Sequence, residues 1–516
     1  MKDMGKAVDI LLDTIKNKRK IRIIGDYDID GICSIYILFK GLLFLGADVD
    51  YEVPDRIKDG YGINENLIKQ AYDDGREVIL TCDNGIAATE QVRYARSLGF
   101  TVIVTDHHDI RYEEIDGKKT YILPEADAIV NPKQSDCSYP CSFLCGAGVA
   151  YKLMQELFKR TGNEGKEREF LVFAGIATVG DVVDLKDENR IFVKEGLKQF
   201  KETDNYGLRA LTVINGLDDK EICAYHIGFI IGPCLNASGR LDTAKRALKM
   251  LLSKDKYEAE RLAGDLVSLN EERKSLTAAA VILAEKIVDE NYTDDTVLVI
   301  YLPDCHESIA GIVAGRIREK YYKPVIVLTK GEDGVKGSAR SIESYNIFEK
   351  LCECSHLLTK FGGHPLAAGM SLKEDNIEEL RKYLNEHSNL TKDDLTEKVW
   401  IDVPMPLEYI NEDIINELSL LEPYGKGNEK PVFADKNLII VSFMRIGRDG
   451  KFAKMELKKN NGMSIFAMCF NNCDGLNEAF INNKRISCTY YPEINEFRGN
   501  KKLQICITGY RIEEDI

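Results

Sequence analysis

Three carboxylates within five residues, Asp26, Asp28 and Asp30, lie between two apolar runs at 21–24 and 32–39, and nothing else in the chain restricts its fold so tightly. The first run reads as a buried parallel strand and the second as a helix, with Gly25 and Gly31 bracketing the turn between them. In an extended turn, residues two apart point the same way, so the three acids are expected to share one small volume at the carboxyl end of the strand. Like charges that close repel one another and take up protons. One or two bound cations reverse this, because a metal becomes the largest local charge and keeps its carboxylates ionised. The stretch 25–31 is therefore expected to form half of a metal site.

Two simpler readings compete. The pattern D-x-D-x-D-G also opens an EF-hand loop, but that loop needs a bidentate Glu at its twelfth position, and counting from Asp26 this is Ile37. A helix N-cap at the turn would account for Asp30 alone, not for three acids.

Strand and helix patterns alternate onward, and further acidic clusters fall at strand ends. A strand at 50–53 ends in Pro54-Asp55-Arg56, a strand at 77–81 in Asp83-Asn84-Gly85, and a strand at 101–104 in Asp106-His107-His108. This is the pattern of an open parallel sheet, whose ligands sit outside the carboxyl ends of the strands, so the clusters are expected to converge. Two adjacent histidines beside acids suit a catalytic divalent metal, in a chain with only seven histidines. His226, His356 and His387 read as ordinary core or surface residues. Asp181 stands in an apolar run, 174–185, where an ionised acid is costly unless paired or metal-bound. Residues 232–240 are expected to be a loop ending in Arg240, and 255–287 a long amphipathic helix acting as a rigid spacer. A second α/β unit follows, with loops at 337–341 and 361–365 in which Ser338 and Arg340 offer donors for phosphate oxygens.

Five short alternating segments close the chain, at 438–446, 452–457, 463–470, 485–491 and 503–510. They suit a small OB-type barrel, a common platform for single-stranded nucleic acid. Arg445, Arg448, Lys451, Lys454, Arg498, Lys501 and Lys502 interleave there with Phe452, Tyr490, Tyr491 and Phe497. The overall charge of −15 argues weakly against a nucleic-acid partner. Its distribution matters more: residues 431–516 carry thirteen Lys and Arg against ten Asp and Glu, so the acidic surplus lies where cations are expected. The 14 cysteines include no C-x-x-C pair, which disfavours zinc and iron–sulfur sites. No apolar run is long enough to span a bilayer, and a cytoplasmic location is expected.

These motifs together resemble the Asp-His-His (DHH) phosphoesterases, and within them the RecJ family of single-stranded-DNA exonucleases. Segments 26–31, 83–85, 106–108 and 179–183 look like the family's first four motifs, and 421–428 resembles the lead-in to its OB domain. The resemblance implies a DHH domain at 1–245, a connecting helical segment at 246–292, a substrate-binding domain of the DHHA1 type at 293–390 and an OB-type domain at 391–516. It also implies one or two Mn²⁺ or Mg²⁺ ions held by Asp26, Asp28, Asp30, Asp83, His107 and Asp181, with Asp83 bridging and His108 near the scissile phosphate. Arg56, Tyr61, Asn236, Arg240, Ser338, Arg340 and His364 would grip the strand and its 5′ end, and Arg56 or Arg340 would stabilise the transition state. The implied activity is stepwise 5′→3′ release of 5′-mononucleotides in DNA repair and recombination, by a monomer that could cooperate with a helicase and a single-strand-binding protein. Cys234 stands where the family usually has Arg, Gly180 where it has Ala and Asp184 where it has Pro; about twenty residues precede the first strand where relatives carry more.

The same metal ligands would serve a phosphodiesterase of short oligonucleotides or cyclic dinucleotides, which has no need of a C-terminal barrel. A pyrophosphatase would not need 516 residues. A catalytically silent DNA-binding scaffold would be expected to have lost ligands.

Overall fold

The apolar run at 21–24 becomes the strand Lys20–Gly25, the second of a five-stranded parallel sheet with order Asp48–Glu52, Lys20–Gly25, Val78–Cys82, Thr101–Thr105, Ala128–Val130. Its register pairs Gly25 with Cys82 and Cys82 with Thr105, which brings the carboxyl ends of three strands level. Both faces are covered: Ile21 and Ile23 pack with the helices Ile29–Phe44 and Gly146–Arg160 in one core, while Ile24, Ile79 and Val102 pack with the helices Glu65–Asp73 and Thr89–Ser97 in another. Strands buried on both sides explain the continuous apolar runs.

The structure, a computed structural model, describes every residue except 57–58, 116–117, 332–333, 448–449, 472, 498–499 and 514–516. The chain divides into two compact units, 1–183 with 187–397, and 184–186 with 398–516. In the first unit the helix Lys256–Asn291, capped by Asp255, leads to a second sheet of order Leu358–His364, Ala367–Leu372, Gly334–Arg340, Val325–Gly331, Leu298–Tyr301. Only the last pair is parallel. Among the described residues, no helix is long and apolar enough to cross a membrane.

Several stretches expected to be loops are regular. Residues 232–240 lie in the helix Gly232–Leu241, which runs on directly from a π-helical turn, Ile227–Ile231, with Pro233 just past the junction. Ser338 and Arg340 lie on the strand Gly334–Arg340, and Gly362 and Gly363 on the strand Leu358–His364. Conversely, the helix expected to carry Asp181 ends at Gly180, with Asp181 as its C-cap. A two-stranded hairpin, Tyr112–Ile115 with Lys118–Tyr121, follows the His-His pair and was not foreseen.

The second unit is a closed barrel of the strands Phe433–Ile446, Phe452–Lys458, Ser464–Cys469, Asn500–Ile512 and Arg485–Phe497, with the helix Asp474–Ile481 inserted. Ala453, Met455 and Leu457 point inward while Phe452 and Lys454 point out, the period-two alternation of a half-buried strand. Two expected surface aromatics prove internal. Tyr490 is fully buried and donates to Met405 O at 2.6 Å, and Tyr491 is buried beside it. Arg445 is spent on Asp474 Oδ1 at 2.6 Å. Phe452, Phe466 and Phe470 are exposed on the barrel, with the Lys454 and Lys502 ammonium groups 5.5 and 5.9 Å from the centre of the Phe466 ring. Arg448 and Arg498 lie outside the described residues.

Candidate metal centre

The acidic turn is built by its own hydrogen bonds. Asp28 is the N-cap of the helix Ile29–Phe44: its Oδ1 accepts from the backbone N–H of Asp30 and of Gly31, at 3.0 and 3.1 Å. The cap is thus Asp28, and Asp30 is already helical. The three acids therefore do not point one way. Asp26 and Asp28 converge with Asp83, whereas Asp30 converges with His107 and Asp181, and in each trio one ligand atom per residue lies within 4.8 Å of the others. Asp83 joins the two trios, because its Oδ1 lies 3.1 Å from His107 Nε2, which is itself 3.5 Å from Asp30 Oδ2 and 3.7 Å from Asp181 Oδ2.

Glycines make this convergence possible. Gly146 N donates to Asp30 Oδ2 at 2.6 Å and Ala147 N to Oδ1 at 2.7 Å, which fixes Asp30 against the start of the helix Gly146–Arg160. A Cβ at Gly146 would lie 2.7 Å from Asp83 Cβ and 2.9 Å from Asp83 Oδ1. Asp83 itself is held in the left-handed region, φ 59°, which turns its side chain inward from the strand end.

The electrostatics are those of several carboxylates crowded together and buried. Burial, reinforced by the other acids, pushes Asp30 up to about 6 and Asp181 up to about 8. Burial and neighbouring carboxylates likewise raise Asp26 and Asp83 well above the carboxylate range. Burial and then the His108 charge press His107 down to about 3, which leaves a neutral imidazole fit to ligate. Among the described residues, Asp26 Oδ1, Asp83 Oδ1 and His107 Nε2 are buried without a hydrogen-bond partner. Buried polar atoms are ordinarily satisfied, so three orphans at the meeting point of two ligand trios fit divalent cations. Carboxylate oxygens with a single imidazole favour Mn²⁺ or Mg²⁺ over thiophilic metals.

Asp106 was named in the sequence only as part of the 106–108 motif and given no role of its own, yet it organises the other side of the site. Its Oδ1 accepts from His107 N at 2.7 Å and His108 N at 3.1 Å and lies 2.7 Å from His108 Nδ1, while Oδ2 accepts from Ile86 N at 2.9 Å. Burial opposes ionisation of Asp106, but the His108 hydrogen bond and charge hold it down to about 2. Burial likewise opposes the charge on His108, yet Asp106 lifts it to about 9. Tyr61 Oη lies 3.1 Å from His108 Nδ1 and donates to Asp83 O at 3.0 Å, so Tyr61 touches both halves of the centre.

Beyond Tyr61 opens a cleft of about 460 Å³ between the two sheets of the first unit, lined by Tyr27, Arg56, Arg111, Glu307, Lys336 and Ser338 among others. Arg56 stacks over the Tyr27 ring at 4.9 Å. The remaining sequence candidates sit differently. Asn236 Oδ1 accepts from Ile29 N at 2.8 Å, so that oxygen anchors the acidic turn. Arg240, half-buried, donates to Ser308 O at 2.8 Å and ties the core to the first turn of the helix Glu307–Tyr321. Arg340 donates to Ala339 O at 2.8 Å and packs on Gly311. His364 is exposed, its Nδ1 3.9 Å from Asp109 Oδ2.

Three family models match the chain: the DHH family N-terminal domain over residues 20–178, the DHHA1 domain over 294–388 and the RecJ OB domain over 401–509. The chain is 37% identical to the single-stranded-DNA-specific exonuclease RecJ of Bacillus subtilis over 100% of its own length and 64% of that relative's. It is 33% identical to the exonuclease of the same name from Haemophilus influenzae, over 97% of this chain and 89% of that one. The crystal structure of RecJ in complex with Mn²⁺ from Thermus thermophilus superposes with a TM-score of 0.84 at 28% identity, covering 100% of this chain and 72% of that one.

Proposed function

The chain belongs to the RecJ family, and we propose that it is a metal-dependent exonuclease that removes 5′-mononucleotides stepwise from the 5′ end of single-stranded DNA. The observation that carries this reading is the set of three orphaned buried atoms, on Asp26, Asp83 and His107, where the two ligand trios meet. Asp26, Asp28 and Asp83 would hold one Mn²⁺ or Mg²⁺ ion, and Asp30, His107 and Asp181 a second, with Asp83 shared. When bound, the ions supply Lewis acidity that makes an attacking water more acidic and offsets charge on the phosphate.

The protein groups do the rest. Asp106 fixes the His108 ring through Nδ1 and keeps it protonated, which leaves the Nε2 proton for the leaving 3′-oxygen of the terminal nucleotide. Tyr61 holds that ring against the Asp83 backbone. Arg56, resting on Tyr27 at the cleft wall, offers its guanidinium to the phosphate, where charge grows in the transition state. Ser338 lines the opposite wall and offers a hydroxyl to the 5′ end. The exposed Phe466, flanked by two lysines on the barrel, suits base stacking with nearby phosphates. Cooperation with a helicase and a single-strand-binding protein, action as a monomer and a cytoplasmic location complete the reading.

The test is digestion of a long single strand, labelled at the 5′ end in one reaction and at the 3′ end in another. It is run with Mn²⁺, with and without EDTA, beside Asp83→Asn. Immediate release of a labelled mononucleotide from the 5′ end, absent in EDTA and in the variant, is expected. Survival of the long strand while dinucleotides are cut would replace the reading with a small-substrate phosphodiesterase, and binding without cleavage with a scaffold.

A further inference from the structure

The hairpin Tyr112–Tyr121 is the one element near the metal centre to which the reading above gives no task. It begins four residues after His108, and its open end is closed by Ile122 N donating to Arg111 O at 2.8 Å. Arg111 also lines the cleft. The hairpin therefore rises from the cleft rim, with Tyr112 one residue, about 3.8 Å along the Cα trace, beyond a cleft-lining cation.

Its pairing places Tyr112 opposite Tyr121 and Glu114 opposite Lys119, so these four side chains share one face. Both tyrosines are exposed, 47% and 41%, and their rings meet edge to face at 6.0 Å. The Lys119 ammonium sits 4.2 Å from the centre of the Tyr112 ring. The Tyr121 face remains open to solvent beside that cation. Glu113 and Glu114 keep the hairpin from being strongly basic, so stacking, not bulk charge, would supply the attraction.

We propose that this face is a stacking platform for the single strand on the 3′ side of the scissile bond: a base lies on Tyr121, and the adjoining phosphates meet Lys119 and Arg111. The proposal rests on the exonuclease reading and extends its substrate path past the cleft. Two aromatic rings beside one cation, continuous with a cleft that holds Arg56 and Arg111, match the chemistry of strand-tracking surfaces, where rings take bases of any identity and cations take the backbone. The simpler view is that the tyrosine pair only holds a two-stranded ribbon together.

The test separates these views with Tyr112→Val/Tyr121→Val, which keeps strand-forming side chains, and with Lys119→Glu, which leaves both rings. Cleavage in Mn²⁺ is compared on a long oligothymidylate and on a 5′-phosphorylated thymidine dinucleotide, and a 2-aminopurine placed beyond the dinucleotide reports stacking. Loss of one stacked base predicts a fall in kcat/KM on the long strand of roughly 5- to 150-fold. Dinucleotide cleavage should be unchanged and 2-aminopurine quenching lost, and Lys119→Glu should weaken long-strand cleavage more at low salt than at high. Equal kcat/KM on the long strand in the variants and the parent overturns the platform. So does equal loss on both substrates, which would mark the hairpin as a prop for the cleft. A parent enzyme that cuts neither substrate refutes the exonuclease reading itself, a distinguishable result.

Discussion

Asp83→Asn should change the sign of its effect on stability according to whether metal is present. Asn is nearly isosteric with Asp and tolerates the left-handed φ of 59° at this position, whereas Ala would add about 1–2 kcal/mol of backbone strain. The ligand atoms of Asp26, Asp28 and Asp83 lie within 4.8 Å of one another. At an effective dielectric of ~20, two full charges at that separation repel by about 3.5 kcal/mol, and proton uptake relieves part of this. Removing one of the charges should therefore stabilise the metal-free protein by up to about 3 kcal/mol at alkaline pH. With Mn²⁺ the order reverses. The parent gains about 2.7 kcal/mol at a hundredfold excess over Kd, and the variant, lacking the shared ligand, gains much less.

The pH dependence has a definite direction. Asp30 and Asp181 are raised from 3.8 to about 6 and about 8, so the stability they leave intact below about pH 4 is lost as pH rises through those values. For Asp30, almost wholly buried, the loss is on the order of 3 kcal/mol. Thermal unfolding followed by circular dichroism, in EDTA and in saturating Mn²⁺ across that range, checks both statements. The metal-free parent should melt lower as pH rises, and Asp83→Asn should melt above it. A metal-free variant less stable than the parent at pH 8, or equal stabilisation of both by Mn²⁺, would refute the reasoning.

Asp106→Asn should free the His108 ring and return its pKa from about 9 toward 6.5, so that the alkaline loss of kcat, measured in Mg²⁺, moves down by about two pH units and kcat itself falls roughly 100-fold or more. Gly146→Ala drives a methyl group into Asp83, and isothermal titration should show Mn²⁺ binding much weakened while the far-ultraviolet circular dichroism of the fold persists. On the barrel, Phe466→Ala should weaken binding of a long single strand by about 1–3 kcal/mol. By contrast Tyr490→Phe, which orphans the Met405 carbonyl, should cost about 1–3 kcal/mol of stability and leave strand binding unchanged.

The parallel sheet and its convergence of acids were legible because each strand is a short apolar run ending in polar residues, a pattern that burial on both faces imposes directly. The regular structure hidden in 232–240, 337–341 and 361–365 was not. Glycine and proline there signal turns locally, but Pro233 follows directly on a π-helical turn within one helical run, Gly337 is held by a ladder to Met370, and Gly362 and Gly363 pair with Gly369 and Ala368 of the next strand. The barrel strands were legible as alternation, yet which tyrosines face inward was not. At 490–491 a β-bulge shifts the register between Thr489 and Tyr490, and neighbouring residues no longer alternate across the wall.

In the site, the sequence shows which groups are present and not which of their atoms are already spent. Asp106 and Asp83 look alike as acids at adjacent strand ends. In the fold, both oxygens of Asp106 are occupied by backbone N–H groups and His108, whereas Asp83 Oδ1 faces His107 Nε2 with neither atom hydrogen-bonded. A carboxylate saturated by donors orients its neighbours, and one that keeps a buried orphan oxygen has coordination left for a cation. Asp30 lies between these cases: both its oxygens take backbone N–H groups of Gly146 and Ala147, yet Oδ2 still lies 3.5 Å from His107 Nε2. Those two N–H bonds work against burial and hold its rise to about 6, while Asp181, without them, reaches about 8. Asp30 is therefore better able than Asp181 to stay ionised before metal arrives.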